Sequence, residues 1–253
     1  FGVRDDQGAS DRRAVMRLAT FVLIASLVAA PSAALGAQSV AGEVLHPTPS
    51  QKRFMGAMLA DDLRHFLRGS KAAYDWGQVA VPYVRDAAVA VDFMRSPIGA
   101  DAKYRNKVTF VNGYFAGAER SIGDQFRVQM QMVVAYMSVS ESAFLEQARP
   151  GERINMACVV QGKGIEFVEM DSCVDPDAAI KAITDARVDG IMEGPVNKER
   201  VMLTAEAIQF DKMEPRDTVC RQGDDMSCIA DMNNMSDRLQ DALIAWGNEN
   251  ASS

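Results

Sequence analysis

Few residues of this chain have the chemistry of a nucleophile or a general base. The 253 residues include two histidines, His46 and His65, and serine hydrolysis needs a histidine as its base. His46 lies in a predicted linker, and His65 lies on a predicted helix without a second ligand at metal-binding spacing. The sequence contains no Gly-x-Ser-x-Gly elbow and no phosphate-binding loop. It therefore predicts no catalytic residue, no metal site and no cofactor.

Carboxylates are the most abundant groups that could do acid–base work. The chain has 34 Asp and Glu against 27 Lys and Arg, which gives a formal net charge of −7. Glu166, Glu169 and Asp171 cluster near the end of a predicted strand, and glycosidases use paired carboxylates. On an acidic protein, such a cluster is more typical of a solvated face. We therefore predict that the protein is not an enzyme, with a carboxylate-dependent hydrolase of cell-envelope glycans as an alternative.

The cysteines predict disulfides. They are Cys158, Cys173, Cys220 and Cys228. An even number of cysteines in an exported chain favours disulfide pairing, and we favour the nearest neighbours, Cys158 with Cys173 and Cys220 with Cys228. A hairpin that turns at residues 162–164 would place Cys158 opposite a residue near 168, so this pairing requires the chain to bend after Val168. A zinc site is the alternative, but the spacing does not support one.

Residues 100–175 show the alternation of a small β-barrel. One face of the pattern is Phe126, Val128, Met130 and Met132 on one segment and Val111, Gly113 and Phe115 on the segment before it. A short helix over residues 141–148 and a hairpin follow, in the order of an OB-fold. Gly113 would mark the bend that lets a barrel close. The sequence predicts an α+β protein, a five-stranded OB-fold-like β-barrel with flanking N- and C-terminal helices; the alternative is an open antiparallel sheet covered by helices.

Several short motifs in this stretch resemble one family of OB-fold domains. They are the run from Ala100 to Lys107, the strand glycine Gly113, and Gly151-Glu152-Arg153 ahead of Cys158 and Cys173. On these motifs, residues 100–175 resemble the tRNA-anti-like family, whose members are mostly small exported bacterial proteins of unknown role. The resemblance implies the fold. It implies no catalytic residues, and the family's name does not imply tRNA binding.

The outward side chains of the barrel are the predicted binding surface. OB-folds commonly bind ligands on the face of their second and third strands. The predicted ligand-binding residues are Phe110, Asn112, Tyr114, Arg127, Gln129 and Gln131. Aromatic rings beside amides and an arginine can stack on, and hydrogen-bond to, a sugar, a base or a peptide. The alternative is that a terminal helix covers Phe110 and Tyr114.

The N-terminal residues predict export. Residues 1–15 precede Met16 and are expected to be an upstream extension that is not native. Residues 16–41 read as a secretory signal peptide: arginines come first, residues 18–30 are apolar, and small residues follow, with candidate cleavage after 36 or 41. The apolar run is shorter than the about 20 residues of a membrane span, although an uncleaved anchor is an alternative. We expect a periplasmic or secreted protein without a stable membrane span after cleavage.

The remaining segments are predicted to flank the barrel. Residues 42–99 form a helical N-terminal region that packs on the barrel, including a second helix over residues 74–94 that is interrupted, or begins, near Pro82. Residues 176–253 form a C-terminal α/β extension that ends in an amphipathic helix. Within this extension, residues 190–212 favour a strand hairpin over a helix.

These features predict an exported, non-enzymatic OB-fold protein that binds an unknown envelope ligand or partner protein through the barrel face. An alternative is a protein that binds single-stranded nucleic acid or tRNA, with Phe110 and Tyr114 as stacking platforms. Its cations would be Lys103, Arg105, Lys107, Arg120 and Arg127. The net charge of −7 disfavours nucleic acid as a partner.

Overall fold

The computed structural model describes residues 47–213, except Ile122 and Ile165. The predicted upstream extension, the signal peptide, His46, Cys220, Cys228 and the predicted terminal helix lie outside the described residues. In chain order, the elements are α1 (Pro49–Leu67), β1 (Ala80–Arg85), α2 (Asp86–Arg95), α3 (Pro97–Tyr104), β2 (Val108–Arg120), β3 (Gln125–Met130), β4 (Val133–Ser138), two 3-10 turns (Val139–Glu141 and Ala143–Leu145), β5 (Arg153–Lys163), β6 (Val168–Val174), α4 (Pro176–Glu193) and α5 (Lys198–Met213).

The chain divides into two compact units. One is Leu59–Arg187, which contains the strands. The other contains, among the described residues, 47–58 and 188–213. No helix within the described residues is long and apolar enough to cross a bilayer.

Five strands close into a barrel. β2, β3 and β4 form an antiparallel meander, β4 pairs in parallel with β6, and β6 pairs antiparallel with β5. The antiparallel pairing of β5 with β2 closes the ring. This connectivity is that of the predicted five-stranded OB-fold-like barrel, and helices flank it, so the predicted α+β fold class is confirmed.

β2 has two sets of neighbours along its 13 residues. Its first part, Val108 to Tyr114, pairs with β5 on one side and with β1 in parallel on the other. Its second part, from Phe115, pairs with β3, after a register shift between Phe115 and Gly117. The strand therefore carries outward side chains on two separate parts of the barrel wall.

The sequence did not predict β1. Residues 80–85 fall within the predicted second helix, but they form a strand that pairs with β2 through a bulge between Val81 and Val84. A short apolar run does not distinguish a strand from a buried helix, and the partner strand lies far along the chain. The helix that follows, α2, begins only at Asp86.

The barrel core includes side chains from α2 and α3. Val89, Phe93 and Tyr104 from these helices belong to the same buried cluster as Val111 and Met156 of the barrel. The predicted helix over residues 141–148 is instead the two 3-10 turns, from which Leu145 joins the cluster. Part of the N-terminal region thus packs into the barrel itself.

The pairing of Cys158 with Cys173 is confirmed, with sulfur atoms 2.10 Å apart and Cα atoms 4.2 Å apart. The hairpin turns later than predicted, since Lys163 pairs with Val168 and the amide of Gly164 donates to the carbonyl of Phe167. A register shift follows, at which Ser172 has a φ of 52°. The late turn moves Cys158 out of register with residue 168 and into register with Cys173.

The predicted hairpin over residues 190–212 is wrong. α4 continues to Glu193, and Lys198–Met213 forms the helix α5. Most of α5 is buried around its circumference, including Leu203, Ala205, Ala207, Ile208 and Phe210. A helix that is buried on all sides lacks the one-sided apolar stripe that identifies amphipathic helices, so its pattern resembles that of a buried strand.

Candidate ligand-binding site

The structure separates the predicted binding residues into two groups. Asn112 and Tyr114 lie on the part of β2 that pairs with β5. Arg127 lies opposite Glu119, on the part of β2 that pairs with β3. Five positions separate Tyr114 from Glu119, which is about 17 Å along an extended strand. The two groups therefore do not form one continuous site.

The group on β3 carries a cation that is already paired. The guanidinium of Arg127 donates to the carboxylate of Glu119 at 2.7 Å. The hydrogen bond that Arg127 donates to Glu119, with a further one that it donates to the hydroxyl of Tyr136, raises the pKa of Arg127. Gln129 is half-buried on the same strand, and Gln131 is exposed in the bend that follows it. This group offers amides to a ligand, but its positive charge is neutralised locally.

Phe110 does not present the exposed ring that the sequence predicts. Its side chain is 0% exposed, and the ring of Tyr83 packs edge-on against it with centroids 5.5 Å apart. Tyr83 comes from β1, which the sequence did not predict. Tyr114, in contrast, is 48% exposed. Of the two predicted aromatic platforms, one is covered and one is open.

Asn112 lies at the centre of a row of side chains across three strands. It pairs with Arg85 of β1 and with Asn155 of β5, and directly opposed residues project on the same face of a sheet. The amide Nδ2 of Asn112 donates to Oδ1 of Asn155 at 2.6 Å. Around this row is an open depression of about 360 Å³, the Asn112 depression, which is lined by Tyr83, Val84, Arg85, Asn112, Arg153 and Asn155.

One edge of the Asn112 depression combines an arginine with a tyrosine. Arg153 pairs with Tyr114 across β5 and β2, and its guanidinium carbon lies 5.4 Å from the centroid of the Tyr114 ring. This is a cation–π geometry. Stacking holds a guanidinium by its plane, whereas its hydrogen-bond donors lie along its edges. Arg153 can therefore be oriented by Tyr114 and still donate hydrogen bonds to a ligand.

The Asn112 depression carries uncompensated positive charge. Within the described part of the chain, neither Arg85 nor Arg153 forms an ion pair with a carboxylate. None of its six lining residues is acidic. On a chain with a net charge of −7, the depression thus presents two guanidiniums without carboxylate partners among the described residues.

Tyr83 lies at the opposite edge of the depression and is 41% exposed. Burial raises the pKa of its phenol, and the nearby carboxylates of Asp177 and Asp175 raise it further. The hydroxyl is therefore protonated at neutral pH and can donate a hydrogen bond. Asp177 in turn accepts a hydrogen bond from Arg64 at 3.1 Å. Carboxylates and the guanidiniums of Arg64 and Arg68 therefore both lie near this edge of the depression.

Five residues of the depression were not among the predicted binding residues: Tyr83, Val84, Arg85, Arg153 and Asn155. The outward direction of Arg153 and Asn155 follows from their alternation with Ile154 and Met156, which are buried. No comparable signal identified Tyr83 and Arg85, because the segment that carries them is predicted as a helix.

Most cations of the predicted nucleic-acid surface have carboxylate partners. The pairs are Lys103 with Asp92 at 2.7 Å, Arg105 with Asp101 at 2.6 Å, Arg120 with Asp124 at 3.0 Å and Arg127 with Glu119 at 2.7 Å. Lys107 is the fifth member of that set. A phosphate backbone would have to compete with these carboxylates for each cation.

The carboxylate cluster near the end of the barrel is open to solvent. Glu166 and Glu169 are exposed, and Asp171 is half-buried, with Oδ1 accepting a hydrogen bond from the amide of Ser172 at 2.7 Å. In the described part of the chain, no group of three or more His, Cys, Asp or Glu side chains is arranged to hold a metal ion. None of the three carboxylates lines the Asn112 depression.

Comparison of the chain with family models, with curated proteins and with solved structures found no match.

Proposed function

We propose that the protein is an exported, non-enzymatic binding protein that holds its ligand in the Asn112 depression on the outer face of the barrel. The observation that carries this proposal is the row from Arg85 through Asn112 to Asn155, which places a guanidinium and two amides side by side on three paired strands. Hydrogen-bonded strands hold such groups in fixed relative positions, and preorganised groups bind at a lower entropic cost.

The chemistry of the depression supports binding rather than catalysis. Its lining supplies guanidinium and amide donors, amide acceptors and a phenol ring. General acid–base work requires a group that exchanges a proton near the working pH, such as histidine or a perturbed carboxyl. The lining residues are of a different type, and they suit recognition of a polar, anionic molecule.

Export is supported by two independent features. The N-terminal sequence has the three parts of a secretory signal. Cys158 and Cys173 form a disulfide inside the barrel, and structural disulfides persist mainly in oxidising compartments. These features support a location in the periplasm or the extracellular medium, where the partner would be an envelope ligand or another exported protein.

The alternatives have weaker support. A nucleic-acid surface needs accessible cations along the backbone path, yet four of the five candidate cations are paired with carboxylates. A glycan hydrolase would use paired carboxylates that flank a bound sugar. Glu166, Glu169 and Asp171 lie outside the depression.

A ligand screen with site variants tests the proposal. The mature protein would be mixed with neutral and acidic oligosaccharides, short peptides and an oligothymidylate, and its thermal midpoint measured with each. A bound ligand raises the midpoint, since it stabilises only the folded state. We expect the shift to disappear in Asn112→Ala and to persist in Gln131→Ala, which alters an exposed amide of the other group. A shift lost in Gln131→Ala and kept in Asn112→Ala, or no shift with any ligand, would overturn the proposal.

A further inference from the structure

We infer that the ligand of the Asn112 depression is an acidic oligosaccharide, a chain of at least two sugars that carries carboxylate groups. This inference rests on the proposed function and adds the chemical class of the ligand. It follows from the charges, the hydrogen-bonding groups and the dimensions of the depression.

The charges favour an anion. Arg85 and Arg153 lie at the depression without a carboxylate partner among the described residues. A guanidinium binds a carboxylate through two parallel hydrogen bonds, whereas a neutral sugar could accept hydrogen bonds from these groups but would leave their charges without a counterion. The rest of the protein is acidic and repels an anionic ligand. The ligand should therefore bind at this position.

The amides match sugar hydroxyls. Asn112 uses Nδ2 for the bond to Asn155, so Oδ1 of Asn112 remains an acceptor and Nδ2 of Asn155 remains a donor. An acceptor next to a donor can bind two neighbouring hydroxyl groups, each of which both donates and accepts. This pair provides hydrogen bonds to the neutral part of the ligand, while the arginines bind its charges.

The two exposed tyrosines set the length of the ligand. Tyr83 packs on Phe110, whereas Tyr114 lies four positions further along β2, which is about 13 Å. A tyrosine ring is apolar on its faces and polar at its hydroxyl, so it can pack on the C–H face of a sugar ring. Contact with both rings therefore requires a chain longer than one sugar.

Two other ligand classes fit less well. A peptide could add a strand to β1, but Pro82 lacks a backbone donor and interrupts that edge. A nucleic acid would bring closely spaced phosphates, whereas the lining of the depression supplies two guanidiniums, and Arg120 and Arg127 are paired with carboxylates. An oligosaccharide carries fewer charges per unit length and places hydroxyls between them.

Calorimetry with matched ligands tests the inference on the mature protein. The probes are oligogalacturonate, oligoalginate and hyaluronan oligosaccharides, each paired with its carboxyl-reduced counterpart, and inorganic phosphate is included to detect simple anion binding. We expect at least one carboxylated oligosaccharide to bind, and its reduced counterpart to bind at least tenfold more weakly. Arg85→Ala and Arg153→Ala should each weaken binding about tenfold, as expected for loss of one charge-assisted pair.

Arg120→Ala is the matched control variant. Arg120 is also an exposed arginine at the end of β2, but it pairs with Asp124 outside the depression, so its removal should leave binding unchanged. Arg153→Lys keeps the charge but loses the two-pronged geometry, and it should bind with intermediate affinity. Circular dichroism would confirm that each variant is folded.

The outcomes separate this inference from the proposed function. If only a neutral glycan or a peptide binds, and Asn112→Ala abolishes it, the depression is a binding site but the ligand class is wrong. Equal binding of the reduced and carboxylated forms, or phosphate binding without oligosaccharide binding, would also overturn the inference. If a ligand binds and Asn112→Ala leaves its affinity unchanged, the proposed function fails as well.

Discussion

The carboxyl group of Asp86 lies against the backbone of Gly113, so close that a Cβ at residue 113 would stand 3.0 Å from its Cγ. Asp86 is the first residue of α2 and is buried in the barrel. Its carboxylate accepts hydrogen bonds from the amides of Ala87 and Met132 at 2.7 and 3.2 Å. The glycine therefore permits the contact that attaches α2 to the loop between β3 and β4.

Gly113→Ala should destabilise the barrel by about 1–3 kcal/mol, the usual cost of overpacking a core. The new methyl would also stand 2.7 Å from Sδ of Met130. Methionine can move, but Asp86 cannot move without breaking its two hydrogen bonds. Urea unfolding measures the change. Gly117→Ala on the same strand is the control: a Cβ there meets nothing within 4 Å, so a similar loss in both variants would contradict the explanation.

The sequence predicted the barrel because its strands alternate locally and follow one another in OB-fold order. It did not predict β1, whose pairing with β2 is non-local and whose six residues include a proline. Because β1 was missed, the predicted binding site was incomplete. Asn112 and Tyr114 were identified by alternation on β2, but the residues that complete their surroundings come from β1 and β5. Adjacency between strands depends on register, which the alternation of a single strand does not contain.

The predicted disulfide also depends on strand register, here within a single hairpin. Two cysteines near a predicted hairpin were sufficient to propose the pair, but the turn was placed at residues 162–164 when it occurs after Lys163. A shift of the turn by a few residues changes every partner in the hairpin. Gly162, with a φ of 138°, lies within β5 beside a register shift instead of in the turn.

The carboxylate of Asp62 should be essential for the loop that follows α1. It accepts hydrogen bonds from the amides of Ala73 and Tyr74 and from Nε1 of Trp76, at 2.7, 3.1 and 2.8 Å. Trp76 is 2% exposed, so loss of its acceptor leaves a buried donor unsatisfied. Asp62→Ala should lower the free energy of unfolding by about 2–4 kcal/mol.

Asp61→Ala is the control for Asp62→Ala, because it removes a carboxylate one position away. The contact of Asp61 with His65 is a partly exposed one, 3.9 Å long, and exposed pairs contribute about 0–1 kcal/mol. Chemical denaturation followed by Trp fluorescence compares the variants. Equal effects of the two substitutions would show that the hydrogen bonds of Asp62 are unimportant.

The bond between Cys158 and Cys173 should stabilise the barrel by about 3 kcal/mol, the value expected for closing a loop of this length in the unfolded chain. The two residues are 15 positions apart, and both side chains are buried. Replacing both with alanine removes the bond without burying a polar group. A double variant that unfolds at the same urea concentration as the unreduced wild type would contradict this expectation.

Processing and oxidation can be measured together on protein recovered from its own cells. We expect an intact mass that corresponds to cleavage near residue 36 or 41, and no reaction with a thiol reagent until the protein is reduced. Both results would agree with a signal peptide and with disulfides formed after export. An unprocessed chain with free thiols at Cys158 and Cys173 would place the protein in a reducing compartment and remove the basis for an envelope ligand.

Glu206 predicts a pH-dependent stability for the unit that contains α5. Its side chain is buried, Oε2 has no hydrogen-bond partner among the described residues, and burial raises the pKa of its carboxyl from 4.5 to about 8. The folded state therefore retains a proton that the unfolded state loses above pH 4.5. Stability from this group is greatest below pH 4.5 and falls by about 1.4 kcal/mol per pH unit up to about 8.

Glu206→Gln keeps the shape of the side chain and removes its titration. The variant should have nearly the same free energy of unfolding as the wild type at pH 4.5, and a higher one at pH 8, because glutamine has no proton to lose. Urea unfolding at several pH values gives the difference directly. Glu193→Gln, at the exposed end of α4, should follow the pH dependence of the wild type. If the advantage of Glu206→Gln did not grow with pH, the carboxyl of Glu206 would have to be solvated or paired in the folded protein.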